Sequence, residues 1–238
     1  MPVFGENIVS LHTKLVSMKS RLFLITAVIL LLPCTLRAQW SVGLLGGAGY
    51  NVHSQDVHYM TDYRFLGAAG LNFGLTGQYD VTDWFGLRMD ATFTQKNYRH
   101  TRADLKEMDY RYRNDYLLVP VLASFRFGGA RLKGFTNVGV YGGWWLLCAQ
   151  RGTEYSSSAV KVFEFSRKVD FNTEKDNRLD LGLAGGLGLE YGISRHWAVQ
   201  LEARGYYSLA SQVKQYMQVK DYRYDTTVVL QAACLYRF

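Results

Sequence analysis

The chain has 238 residues and a formal charge of +7, with 23 Gly, only 3 Pro and 17 Tyr in an aromatic content of 15%. Few prolines against many glycines and aromatics exclude a disordered chain and favour strands. Three cysteines are too few for a disulfide scaffold, and so modest a basic excess gives no reason to expect a nucleic-acid partner.

Met18, Lys19, Ser20 and Arg21 form a short basic start, followed by an apolar stretch over 22–32 (LFLITAVILLL) and then PCTLRAQ. This is the layout of a secretory leader. Cleavage is expected after Ala38, which leaves a mature domain over 39–238. Met18 is the expected start of translation, because 1–17 sit awkwardly ahead of the basic residues. The alternative is a retained N-terminal anchor, for which the apolar run is short. Loss of 1–38 removes Lys14, Lys19, Arg21, Arg37 and Glu6, which lowers the formal charge by three, to +4. Cys34 leaves with the leader, and Pro33 before it does not suit a lipidation signal.

No apolar run in the mature chain reaches the ~20 residues a transmembrane helix needs. A period of two recurs instead, the signature of strands. Over 40–50, Trp40, Val42, Leu44 and Tyr50 share a face. Over 65–79, Phe65, Leu71, Phe73, Leu75 and Tyr79 stand against Asn72, Thr76 and Gln78. Over 85–95, Leu87, Met89 and Phe93 stand against Arg88, Asp90, Thr92 and Thr94. The segment 116–127 (YLLVPVLASFRF) is apolar on both sides. Over 134–148, Val138, Val140, Trp144 and Leu146 oppose Asn137 and Tyr141. The stretch 179–193, LDLGLAGGLGLEYGI, sets Leu179, Leu181, Leu183, Leu187, Leu189, Tyr191 and Ile193 against Asp180, Glu190 and small residues. Over 197–207, Trp197, Val199 and Leu201 oppose Gln200, Glu202, Arg204 and Tyr206. Finally, 226–238 aligns Val228, Leu230, Cys234, Tyr236 and Phe238.

These eight strands are joined by short connections (80–84, 128–132, 194–196) that alternate with long ones (51–64, 96–115, 149–178, 208–225). That alternation predicts an all-β fold: an eight-stranded antiparallel up-and-down transmembrane β-barrel, with tight turns on one side and larger loops on the other. Aromatics agree. Trp40, Tyr79, Trp84, Phe85, Phe127, Phe135, Tyr191, Trp197, Tyr236 and Phe238 lie at the short-turn end, and Tyr50, Phe65, Phe93, Trp144 and Tyr207 toward the long-loop end, as two interfacial bands. In lipid the backbone must satisfy itself, so the sheet must close. Eight strands enclose an interior filled by side chains. Arg88, Asp90, Arg126, Asp180, Glu190, Glu202, Arg204 and Arg237 are expected there as a matched charge network, with glycines leaving room. The bland alternative leaves some of them in water at the barrel ends. Cys148 and Cys234 fall on non-adjacent strands, so no disulfide is expected.

YLLVPVLASFRF with Pro120 at its centre, GFTNVGVYGGWW, and the run through GLGLEYGI to a final strand ending in an aromatic together resemble the outer-membrane β-barrel domain family common in Bacteroidota, which includes PorT-like proteins. The resemblance covers nearly all of 40–238. It implies an integral protein of a Gram-negative outer membrane, with a role in secretion or envelope assembly for PorT-like members. Leu118 departs from it, standing where many relatives carry Glu. Tyr236 and Phe238 are similar to the assembly signal read by the barrel insertion machinery, and no periplasmic domain is expected to follow.

A structural or partner-binding, non-enzymatic role is the leading expectation, with 149–178 as the partner loop. The alternatives are a lipid-modifying or proteolytic barrel enzyme and a narrow porin-like channel. Ser54, His53 and Asp56 are close in sequence, but proximity along a loop is not hydrolase geometry. His53, His58 and Asp56 are residue types that bind metal, though loop histidines are more often solvated. No catalytic residue, metal or cofactor is therefore assigned. His100 and His196 fall in loops too. The stretch 99–115, rich in arginine and tyrosine, is chemically suited to lipopolysaccharide phosphates. Expected partners are outer-membrane lipid and lipopolysaccharide, the insertion machinery, and a protein at 149–178.

Overall fold

The computed structural model describes residues 39–55, 63–102, 109–156, 161–214 and 223–238. The leader, its cleavage point and Met18 lie outside the described residues, as do Asp56 and His58.

Alternating side chains set out ten antiparallel strands: β1 (Gln39–Gln55), β2 (Tyr63–Asp80), β3 (Phe85–Gln95), β4 (Tyr98–Arg102), β5 (Asp109–Gly128), β6 (Leu132–Ser156), β7 (Lys161–Val169), β8 (Leu179–Gly192), β9 (Trp197–Ser208) and β10 (Arg223–Arg237). β3 and β4 are one stave, interrupted at Lys96 and Asn97 and flanked on both sides by β2 and β5. β7 and β8 are likewise one stave, both paired to β6. The ring therefore has eight staves, and β1 closes it against β10 from Ser41↔Arg237 to Gln55↔Arg223. Closure leaves no sheet edge in the lipid-facing part, which the bilayer requires.

The short connections are tight turns. Val81 and Thr82 donate to the Phe85 carbonyl, and Gly129 to that of Leu132. Gly128 has φ +125°, a conformation that suits glycine alone. Ser194 Oγ accepts from the amides of His196 and Trp197.

Three of the four long connections are corrected. In place of loops at 51–64, 96–115 and 149–178, β1 runs to Gln55, β2 begins at Tyr63, β4 and the start of β5 occupy 98–102 and 109–115, and β6 and β7 fill 149–156 and 161–169. These segments carry polar side chains outward. That erases the apolar alternation by which a strand is recognised, while the backbone ladder is unaffected.

Outward positions define a belt. Trp40 and Tyr50 on β1, and Trp197 and Tyr207 on β9, are each separated by ten residues. At ~3.4 Å per residue and ~40° tilt this spans roughly 26 Å, the height of a barrel's apolar band. Within it Leu44, Leu75, Met89, Leu187 and Leu230 are exposed. Above it β6 continues past Trp144 to Ser156, about 30 Å further by the same geometry.

Two aromatics leave their expected bands. Phe135 faces the interior, 1% exposed. Phe65 lies in the upper interior, stacked on His100 at 4.9 Å and edge-on to His53 at 5.6 Å. Between Asp115 and Tyr116 the β5–β6 register shifts, with Leu146 as the extra residue. The bulge reverses the parity of β6: odd positions through Trp145 face inward before it, and Cys148 and Gln150 face inward after it. Opposite Pro120, which has no amide to donate, the β3–β5 ladder lapses between Met89↔Val121 and Thr92↔Leu118. Cys148 is buried and Cys234 exposed, and both are free thiols.

Candidate functional site

The interior is a stack of polar layers, each fixed by inward positions of neighbouring staves. At mid-height Arg88 and Asp90 come from β3, and Glu202 and Arg204 from β9. Arg88 Nε lies 2.9 Å from Asp90 Oδ1, and its Nη1 lies 3.2 Å from Glu202 Oε2. Arg204 reaches Glu202 twice, at 2.9 and 2.7 Å, and Asp90 at 2.5 Å. The remaining carboxylate valences of Glu202 are met by Asn137 (2.8 Å) and Gln231 (2.9 Å), and Gln231 in turn accepts from Asn72. Arg204 and Arg88 are 0% and 2% exposed. Buried charge persists when paired and hydrogen-bonded in this way.

Below this layer Gln200 bridges, accepting from Arg88 at 3.0 Å and donating to Glu190 at 2.6 Å. Glu190 also takes Arg237, and Arg126 pairs with Asp80 at the short-turn end. Above it Lys96 Nζ lies 2.6 Å from Asp180 Oδ2. The Tyr141 and Ser208 hydroxyls share that carboxylate, and the Tyr116 and Tyr141 rings stand near 5 Å from Nζ, at 5.2 and 5.1 Å. Higher still, Asp225 accepts from Asn51 and Gln212 and lies 2.9 Å from His53 Nδ1.

All eight charged residues singled out in the sequence therefore point into the barrel or its lower mouth. Arg88, Asp90, Glu202 and Arg204 form one cluster; Glu190 with Arg237, Arg126 with Asp80, and Asp180 with Lys96 are separate pairs. Sequence reasoning missed Lys96, Asp80, Asp225 and Gln231; it set Asn72, Asn137 and Gln200 on the polar faces without joining them to the network. Lys96 was legible: it continues the even positions Arg88, Asp90, Thr92 and Thr94, but the polar run after Gln95 reads as a loop. Tyr236 stacks edge-on against Phe238 (5.2 Å) and Trp197 (5.2 Å), and Phe238 is exposed at the short-turn end.

Glycine supplies the room. A Cβ on Gly186 would stand 2.5 Å from Glu202 Oε1 and 3.0 Å from the Ala203 carbonyl oxygen. The inner lining of 179–193 is thinned where the central network passes.

His53 is not in a loop but on β1, buried and stacked on Tyr98 at 4.2 Å. His100 is on β4, between Phe65 and Tyr110. Burial, with His53 nearby adding to it, holds the His100 imidazole below its ordinary value. Among the described residues no three His, Cys, Asp or Glu side chains cluster as metal ligands.

Above the belt the outward face is basic. Arg99 on β4, Arg111 on β5 and Arg151 on β6 are direct cross-strand neighbours, followed by Ser166 on β7. One step nearer the belt, Arg113, Ala149 and Lys168 form the next row. Arg99 holds Asp109 with two bonds, at 2.5 and 2.8 Å, and Arg113 holds Asp115 at 2.9 and 2.8 Å.

The family model for the outer membrane protein beta-barrel domain matches residues 35–214. Among solved structures, the chain is similar to OprG from Pseudomonas aeruginosa (15% identity, TM-score 0.48, covering 84% of this chain and 96% of that one). It is also similar to outer membrane protein W of E. coli (18%, 0.44, 86% and 100%) and Neisserial surface protein A (14%, 0.43, 84% and 97%). These are likenesses of fold. No curated protein sequence matches the chain. With its closed eight-stave ring and the family match over three-quarters of its length, the chain belongs to the outer membrane protein β-barrel domain family.

Proposed function

We propose that the protein is exported behind a leader cut after Ala38 and serves in the outer membrane as a non-conducting, non-enzymatic barrel with a structural or partner-binding role in secretion or envelope assembly, as in the PorT-like group. The observation that carries this reading is the filled interior. Arg88, Asp90, Glu202 and Arg204, all at most 2% exposed, knit β3 to β9 across the barrel and leave side chains where a pore would run. The part offered to a protein partner is the β6–β7 hairpin, which projects beyond the belt and contains the described portion of 149–169. Tyr236 and Phe238 serve as the assembly signal.

The test joins conductance to capture. The purified barrel in a planar bilayer should show no steady conductance, and a photo-crosslinker at Phe163, an exposed hairpin residue, should give a discrete adduct in the native membrane. A steady ohmic conductance would contradict the reading of the interior. An absence of any adduct at Phe163 would remove the hairpin as the partner surface.

A further inference from the structure

We propose that the outward face of β4, β5, β6 and β7 is a docking site for the phosphorylated headgroup of an outer-leaflet glycolipid. Between these strands and residues 67–69 of β2 lies a groove of about 640 Å³. Its outward walls hold Arg99, Arg111, Arg113, Arg151 and Lys168, its floor is made small by Ala68, Ala69 and Ala149, and no carboxylate is among its described lining residues; Arg167, also at its edge, turns its side chain inward to Gln150.

The cross-strand register sharpens this. Arg99↔Arg111↔Arg151 places three guanidinium groups side by side on one face. Like charges directly opposite each other destabilise a sheet. Asp109 occupies Arg99, Asp115 occupies Arg113, and Ser166 Oγ accepts from Arg151 at 3.1 Å. Arg111 stands 3.7 Å from Asp109 with its side chain 72% exposed. Asp109 and Glu164 line the adjoining hollow with Arg111 and Arg151; on the belt side, a phosphate seated between Arg111, Arg151 and Lys168 adds countercharge with bidentate geometry.

Position selects a lipid over a soluble anion. Four residues below Arg113 on β5 is Leu117, which belongs to the exposed row Phe73↔Phe93↔Leu117↔Trp144. Four residues on a tilted strand raise Arg113 roughly 10 Å above that row, to the outer edge of a headgroup layer about 5–8 Å deep. An amphiphile thus finds phosphate contacts in the groove and acyl contacts directly beneath them. The outer ends of β1 and β10 lack this: their outward pairs are Val52↔Thr226 and Ser54↔Tyr224. The site is on one side of the barrel.

The assignment rests on the outer-membrane reading above, so the two are tested separately. The full barrel in neutral detergent is titrated with diphosphoryl lipid A, or with the same lipid dephosphorylated, and bound lipid is counted by native mass spectrometry. Arg111→Ala/Arg151→Ala/Lys168→Ala alters exposed side chains only, and its heat-modifiable gel migration checks its fold. The wild type should bind diphosphoryl lipid A, and the triple variant roughly 100-fold more weakly. Dephosphorylated lipid should bind both proteins weakly, and a Lys substitution at Arg111 and Arg151, which keeps the charge but loses the bidentate fork, should bind with an affinity between those of the wild type and the triple Ala variant. Equal binding to the wild type and the triple Ala variant, or equal binding of the two lipids to the wild type, overturns the site. Displacement by millimolar inorganic phosphate makes it a free-anion site and overturns the lipid assignment. Recovery of the protein outside the outer membrane would defeat the location while leaving the binding result intact.

Discussion

The same sheet is used in opposite senses at its two ends. In the belt, Arg88, Asp90, Glu202 and Arg204 face inward and Leu87, Leu187 and Leu201 outward. In the upper part Tyr98, Tyr112, Tyr116 and Trp145 fill the inside, stacked pairwise at 4.6 Å (Tyr98–Tyr112) and 5.7 Å (Tyr116–Trp145), while Arg99, Arg111, Arg113 and Arg151 face out. The strands stay paired through the change, with one register shift between Asp115 and Tyr116. What differs is the solvent. Lipid takes apolar side chains and leaves polar ones to satisfy each other inside. Water takes the arginines and leaves the aromatics inside, packed around the buried His53–Asp225 pair. The level at which the two patterns exchange, near Tyr116 and Trp144, marks where the hydrocarbon ends.

The largest effect expected from this contrast separates two arginines. Arg204→Ala strips Asp90 and Glu202 of one of their two shared arginines in a fully buried site and should cost about 3–5 kcal/mol. Arg111→Ala, on an exposed face, should stay within about 0.5 kcal/mol. Urea unfolding in lipid vesicles, followed by tryptophan fluorescence, measures both; equal costs would show that the interior network is not an essential element of the belt.

Next comes the inside-out reading of 179–193. Gly186→Leu drives a side chain into Glu202 and the β9 backbone and should cost about 1–3 kcal/mol or more. Leu187→Ala, at a residue 64% exposed to the surroundings, should cost less. Refolding yields on gels compare them, and a more damaging Leu187→Ala would reverse the assignment of the faces.

The smallest effect belongs to the upper core. His100 has its imidazole held below the ordinary 6.5 by burial and by His53. The folded extension therefore favours the neutral ring. Its full stability is present above about 6.5 and falls as pH drops through that value toward the lowered one, because the frayed state binds the proton first. Protection factors of the β4 amides, which remove the intrinsic pH dependence of exchange, should fall modestly from pH 7.5 to 5.5, and His100→Phe should flatten the change.

The belt was legible in the sequence because it obeys one rule of period two over the height of a bilayer, and each of the eight inward charges lies on the parity that rule assigns. The upper barrel was not. Residues 98–102 and 109–115 alternate too, but arginine against tyrosine, and neither class signals a buried face unless the solvent is known. His53 and Asp225 meet across β1 and β10, 172 residues apart, a pairing that only ring closure creates. Phe135 was misplaced because aromatic character marks an interface only at outward positions, and one step along a strand reverses the direction; Phe65, on the same parity as Leu71 and Phe73, is turned inward because residues 68–71 of β2 face only 95–97 across the ladder.

The most direct test reads the solvent at each level. With Cys148 and Cys234 replaced by Ser, a fluorophore is attached at Leu187→Cys or Arg111→Cys and the barrel is reconstituted in bilayers. The Leu187 label should be quenched by brominated acyl chains and not by aqueous iodide, and the Arg111 label the other way round. A Leu187 label untouched by brominated lipid, or an Arg111 label quenched by it as strongly as Leu187, would contradict the inversion.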